Sequence, residues 1–117
     1  MPKDDLVRVR HMLDAAKEAR SFVQQKARSD LDSNRTLVLA LVRSIEIIGE
    51  AAARTTKEFQ AKHPAVPWSE IIAMRNRLIH AYFDVDVDRI WDTVTDDLPP
   101  LIARLEQLVR DELPKQT

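Results

Sequence analysis

Arg75-Asn76-Arg77-Leu78-Ile79-His80-Ala81-Tyr82 sets an arginine, a histidine and a tyrosine within two helical turns of a segment that otherwise reads as protein core. With Ile71 as origin and about 100° of rotation per residue, Ile72, Met74, Leu78, Ile79 and Ala81 fall on one half of an α-helix. Arg75 lands near the middle of that half, and Tyr82, seven positions on, stands almost in line with it. A guanidinium keeps its charge at any ordinary pH and is costly to bury alone. Arg75 therefore meets a specific anion, or lines an interface or cleft. His80 points towards the Asn76 side, about 140° from Arg75 on an ideal helix. One straight helix does not converge the two; a bent helix end or a second copy of the chain does.

The same helical period extends outward in both directions. Leu6, Val9, Leu13, Ala16, Ala19 and Val23 predict a first helix over about residues 4–27, with Asp4 or Asp5 available to cap it. The polar break Arg28-Ser29-Asp30-Leu31-Asp32-Ser33-Asn34 precedes a second long helix, from about Asn34 to Arg54. That helix is apolar at Leu37–Val42 and Ile45–Ile48, which makes it the central one. Gly49, the only glycine in the chain, sits inside it. A mid-helix glycine costs roughly 1 kcal/mol relative to alanine, and close approach of a neighbouring backbone is the expected compensation. Thr55 or Thr56 caps a short helix through Phe59 to about Lys62. His63-Pro64-Ala65-Val66-Pro67-Trp68 is a proline-bounded connection, Pro67 suiting the first turn of a helix from about Trp68 to Ala81. Asp84, Asp86 and Asp88 mark a turn and a helix start, with Ile90, Trp91 and Val94 as its apolar face. Pro99-Pro100 interrupts or kinks that helix before a terminal one carrying Leu101, Leu105, Leu108 and Val109. The expectation is an all-α bundle of four principal helices plus short ones, a single domain over residues 1–117, with an apolar face left for a partner.

Composition agrees. Hydrophobic residues make up 44% and charged residues 32%, the profile of a helical protein. The absence of cysteine removes disulfides, thiolate zinc sites and cysteine nucleophiles, and fits the reducing cytoplasm. The charged N-terminus carries no secretory signal, and no apolar run reaches membrane-spanning length. Eighteen basic against nineteen acidic residues argue against a protein that coats polyanions, but leave room for local recognition of phosphate by arginine.

Arg75, His80 and Tyr82 are a group that chemistry can use. Histidine takes and returns protons near neutrality, and arginine binds phosphate through a planar fork that stabilises developing charge. Together they suit cleavage of RNA by its own 2′-hydroxyl, without a metal or other cofactor. The plainer alternative pairs Arg75 with a buried acid, leaves His80 at the surface or as a cap, and makes Tyr82 a core aromatic.

Arg75-Asn76-x-x-x-His80-x-Tyr82 resembles the Arg-x4-His-x-Tyr motif of the HEPN superfamily, specifically the HepT-like toxin ribonucleases. The similarity extends to Arg43-Ser44-Ile45-Glu46-Ile47-Ile48-Gly49-Glu50-Ala51-Ala52, to Pro64–Trp68, and through His80–Asp86 to Ile90-Trp91. It covers most of the chain from about residue 37 onward. The resemblance implies a helical homodimer whose motif residues face a shared cleft, acting as a metal-independent endoribonuclease, with Arg75 and His80 catalytic and Asn76 positioning His80 or the RNA. It implies a type VII-like toxin–antitoxin pair, in which an MNT-type nucleotidyltransferase antitoxin neutralises the toxin by transferring AMP to the motif tyrosine, here Tyr82. A nucleotide in line with Arg75 would compete for its guanidinium. The rival reading is a HEPN domain that serves a nucleotidyltransferase as a nucleotide-binding scaffold without cleaving RNA.

Glu46 and Glu50, one turn apart on the second helix, either hold Arg75 or His80 in orientation or are neutralised by Arg43 or Arg54. Arg77 faces away from Arg75, as an RNA contact or a solvated arginine. His11 and His63 have no second ligand at metal spacing. Asp84, Asp86 and Asp88 lack the glycine and late glutamate of a calcium loop and read as helix capping. Trp68 and Trp91 read as core anchors.

Overall fold

The computed structural model describes residues 3–80 and 86–113, and every regular element among them is helical. The order is α1 (Lys3–Phe22), α2 (Asp30–Ser33), α3 (Arg35–Ala53), α4 (Lys57–Lys62), α5 (Trp68–His80), α6 (Val87–Asp92), a π-helical turn (Thr93–Asp97) and α7 (Leu98–Glu112). The expected all-α bundle is the fold found, with α1, α3, α5 and α7 as its four long helices. The molecule extends 52 × 29 × 19 Å, and its smallest dimension admits about two layers of helices.

Helix α3 is central because its apolar residues cover more than one face. Leu37, Leu41, Ile45, Ile48 and Ala52 are buried in one core with Val9, Met12, Ala16 and Ala19 of α1, and the leucines of α7 join that core by packing on α1. The adjoining flank of α3, at Gly49, carries α5. Asn34 starts α3 by accepting a hydrogen bond from the Leu37 amide at 3.0 Å. Thr56 starts α4 in the same way through Phe59, and Asp86 starts α6 through Arg89. Pro67 stands just before α5, and its carbonyl accepts the bond from the Ile71 amide. Trp68 is buried and its indole N–H donates to the His63 carbonyl at 3.0 Å, as an anchor should.

Three expectations need correction. The first helix ends at Phe22, not near residue 27, and the chain leaves it through Gln25, which has a positive φ of 61°. The polar break contains a helical turn, α2, whose Leu31 reaches the core. Neither Asp4 nor Asp5 caps α1, since both lie inside it. Asp5 is instead buried, and its carboxylate accepts from the Thr56 amide and the Thr56 hydroxyl, each at 2.8 Å. It fastens the start of α1 to the start of α4.

The Pro99-Pro100 break takes a specific form. Both prolines lie in the first turn of α7, where missing amides are tolerated. The amide of Leu98 reaches back five residues to the Thr93 carbonyl, so the turn before the prolines widens into a π-helix while the rod continues. Thr93 and Thr95 each donate their hydroxyl to the carbonyl four residues earlier, at 2.8 Å.

Candidate functional site

Among the described side chains of α5, Trp68 alone is fully in the core. Ile71, Ile72, Met74 and Leu78 are half-buried, so much of the apolar half predicted from the period lies at the surface of the chain. Arg75 leans on α3. A β-carbon placed on Gly49 would overlap the Arg75 side chain, lying against its Cβ and 2.8 Å from its Cγ, and 3.3 Å from the Ile71 carbonyl oxygen. The glycine therefore admits the aliphatic stem of Arg75 together with the α5 backbone. The expected close approach is real, and the group making it is the arginine itself.

This seat leaves Arg75 chemically unfinished. Its Nε is shielded from solvent and has no hydrogen-bond partner. Among the described residues Arg75 forms no ion pair. A buried N–H of a permanent cation without an acceptor is unfavourable by an amount on the order of a few kcal/mol. The arrangement suits an anion that arrives from outside, and the pairing with a buried acid considered from the sequence is not formed among these residues.

Of the two α3 glutamates, Glu46 lies three residues before Gly49 and about 60° from it around the helix, on the side where Arg75 sits. Glu50 lies on another side. It pairs with Arg54 at 3.2 Å and lines a cavity with Arg8, His11 and Arg43, so it is the Arg54 alternative, not an Arg75 contact, that is realised. Asn76 is exposed on α5. His80 is the last described residue of α5. Tyr82 and Asp84 lie outside the described residues. Arg77 is exposed, as a solvated arginine is, and lines a groove of about 420 Å³ with Arg89, Arg104, Ile45, Ile48 and Leu101.

His63 proves to be structural. Its Nε2 is 2.6 Å from a carboxylate oxygen of Glu112, which also receives Lys62 at 2.9 Å. No local signal in the sequence joins residues 49 positions apart, so the sequence gives no notice of Glu112 as the partner.

A helical bundle that seats on a glycine an arginine without an ion pair among the described residues, five positions before a histidine, defines a recognisable class. The profile of the family described as Ribonuclease HepT-like matches residues 12–108, and the chain belongs to that HEPN-superfamily family. A Thermococcus cleftensis protein named probable ribonuclease HepT is 40% identical over 87 residues, spanning 74% of this chain and 79% of the relative. A provisionally named RNase of Caldanaerobacter subterraneus subsp. tengcongensis is 43% identical over 71% of this chain and 74% of its own length. Another from Methanocaldococcus jannaschii is 30% identical over 112 residues, 95% of this chain and 93% of the relative. No solved structure matches significantly. Among the described residues no helix is long and apolar enough to cross a membrane.

Proposed function

We propose that the chain is a metal-independent endoribonuclease, the toxin of a type VII-like toxin–antitoxin pair. The observation that carries this reading is the buried, unpartnered Nε of Arg75, held on Gly49 in a chain whose relatives are named as ribonucleases. Arg75 clamps the scissile phosphate. The 2′-oxygen attacks phosphorus as its proton is taken, the bond to the 5′-oxygen breaks, and that oxygen takes up a proton. His80 performs one of these transfers. The products are a 2′,3′-cyclic phosphate and a 5′-hydroxyl. Asn76, one turn before His80, positions the histidine or the RNA.

A homodimer supplies the cleft. In support, α5 leaves Ile71, Ile72 and Leu78 half-buried, and Leu39 of α3 is 52% exposed. Control comes from a nucleotidyltransferase antitoxin that places AMP on Tyr82, in line with Arg75 on an ideal helix, where the new phosphate competes for the guanidinium. The test incubates wild type, Arg75→Ala and His80→Ala with total RNA in EDTA and analyses fragment ends. Wild type leaves cyclic phosphates, and each variant loses about a hundredfold or more in rate. Equal cleavage by both variants would remove these residues from the reaction.

A further inference from the structure

The second concentration of charge lies outside the Arg75 group. Arg8 and His11, one turn apart on α1, meet Arg43, Glu50 and Arg54 of α3 around a cavity of about 220 Å³ with Ile47 and Ala51 at its base. Glu50 is the single acid there, and it is engaged by Arg54 through an exposed pair of the weak, screened kind. Arg8 and Arg43 form no ion pair among the described residues. Elsewhere Lys17, Arg28 and Lys62 are each taken up by an acid, whereas Arg77, Arg89 and Arg104 around the larger groove form no ion pair among the described residues. In a chain of formal charge -1, this gathering of cations is local rather than a consequence of composition. The Arg77 groove is a poorer site for a polyanion: its floor is apolar, and Glu70 and Asp97 stand among its arginines.

Resting on the ribonuclease reading, we propose that Arg8, His11, Arg43 and Arg54 form an accessory site for the phosphate backbone of the RNA, beyond the scissile phosphate. Arg43 and Arg54 are eleven residues apart on one helix, a rise of about 16 Å, which is a row and not a point. They lie about 120–140° around α3 from Gly49, so RNA leaving the Arg75 seat passes over the edge of α3 to reach them. Guanidinium groups bind phosphate without reading bases. The site therefore adds affinity and salt dependence, and leaves both cleavage chemistry and sequence choice unchanged.

The test uses a fluorescent 2′-O-methyl oligoribonucleotide, which lacks the attacking hydroxyl and is bound without being cut. Its affinity for the full chain is measured across a salt series for wild type, Arg8→Gln/Arg43→Gln and Arg8→Lys/Arg43→Lys. The glutamine pair is expected to weaken binding about tenfold and to flatten the slope of log affinity against log salt by about 1.4, some 0.7 for each phosphate no longer neutralised. The lysine pair keeps the slope, and the single-turnover cleavage rate at saturating RNA is unchanged in both. An unaltered slope in the glutamine pair overturns the site while the ribonuclease reading stands. A cleavage rate that falls with the glutamine pair overturns its accessory character. If AMP binding responds to the substitutions and oligonucleotide binding does not, the cavity holds free nucleotide and the RNA assignment fails. Wild type that neither binds nor cuts RNA overturns the ribonuclease reading, and this site with it.

Discussion

The stem of Arg75 lies in the space that a side chain on Gly49 would occupy. Stability and the candidate chemistry thus meet at one contact between α3 and α5. Gly49→Ala is expected to destabilise the fold by about 1–3 kcal/mol, because the Ile71 carbonyl limits how far α5 can retreat. It should also impair cleavage by displacing the guanidinium. Adding Arg75→Gly removes the overlapping atoms, so thermal unfolding of the double variant should show Gly49→Ala to be less costly there than in wild type, with activity still absent. Equal costs in both backgrounds would mean that the two residues do not share this space.

Asp5 offers a second check on the architecture. Removing the buried carboxylate in Asp5→Ala leaves the start of α4 without two charge-assisted bonds. The expected loss is about 2 kcal/mol in denaturant unfolding. A change of a few tenths would show that water replaces the carboxylate.

Acid should loosen the far end of the bundle. Hydrogen bonding from Lys62, and then from His63, holds the Glu112 carboxyl below its ordinary value of 4.5, against the opposing effect of burial. A depressed carboxylate pKa gives stability that is complete above the unfolded value and disappears as pH falls through the folded one. The stability difference between wild type and Glu112→Gln should therefore stay level near neutrality and shrink below about pH 4.5. A difference that grows as the solution is acidified would contradict this sign.

Gln25 holds a left-handed backbone conformation at the exit from α1, where a β-carbon is unfavourable. Gln25→Gly is expected to stabilise the protein by about 1 kcal/mol and to raise Tm by several degrees. An unchanged or lower Tm would show that the added freedom of the unfolded chain outweighs the relief.

What was legible in the sequence were features with a local period or a local partner. The 3.6-residue pattern located α1, α3 and α5, and the capping roles of Asn34 and Thr56 depend only on an amide three residues ahead. Asp5 and Glu112 find partners 51 and 49 positions away, which no spacing rule foresees. Glu46 and Glu50 looked equivalent from their one-turn separation. The 100° that separates Glu50 from Gly49 puts Glu50 on the arginine-lined side of α3 instead. A lone glycine in an apolar helix announced a close approach, but the identity of the approaching group needed the packing of α5.

The π-helical turn at Thr93–Asp97 has a consequence for how the chain tolerates change in length. A wide turn holds one residue more than an α-turn would, so it sets the angle at which the leucine row of α7 emerges relative to Ile90. Deleting a single residue there would allow an unbroken α-helix, yet it would swing Leu101, Leu105 and Leu108 about 100° away from α1. The surplus residue thus acts as a phase adjustment between two halves of one rod, and variation in length is better borne by the loops than by this turn.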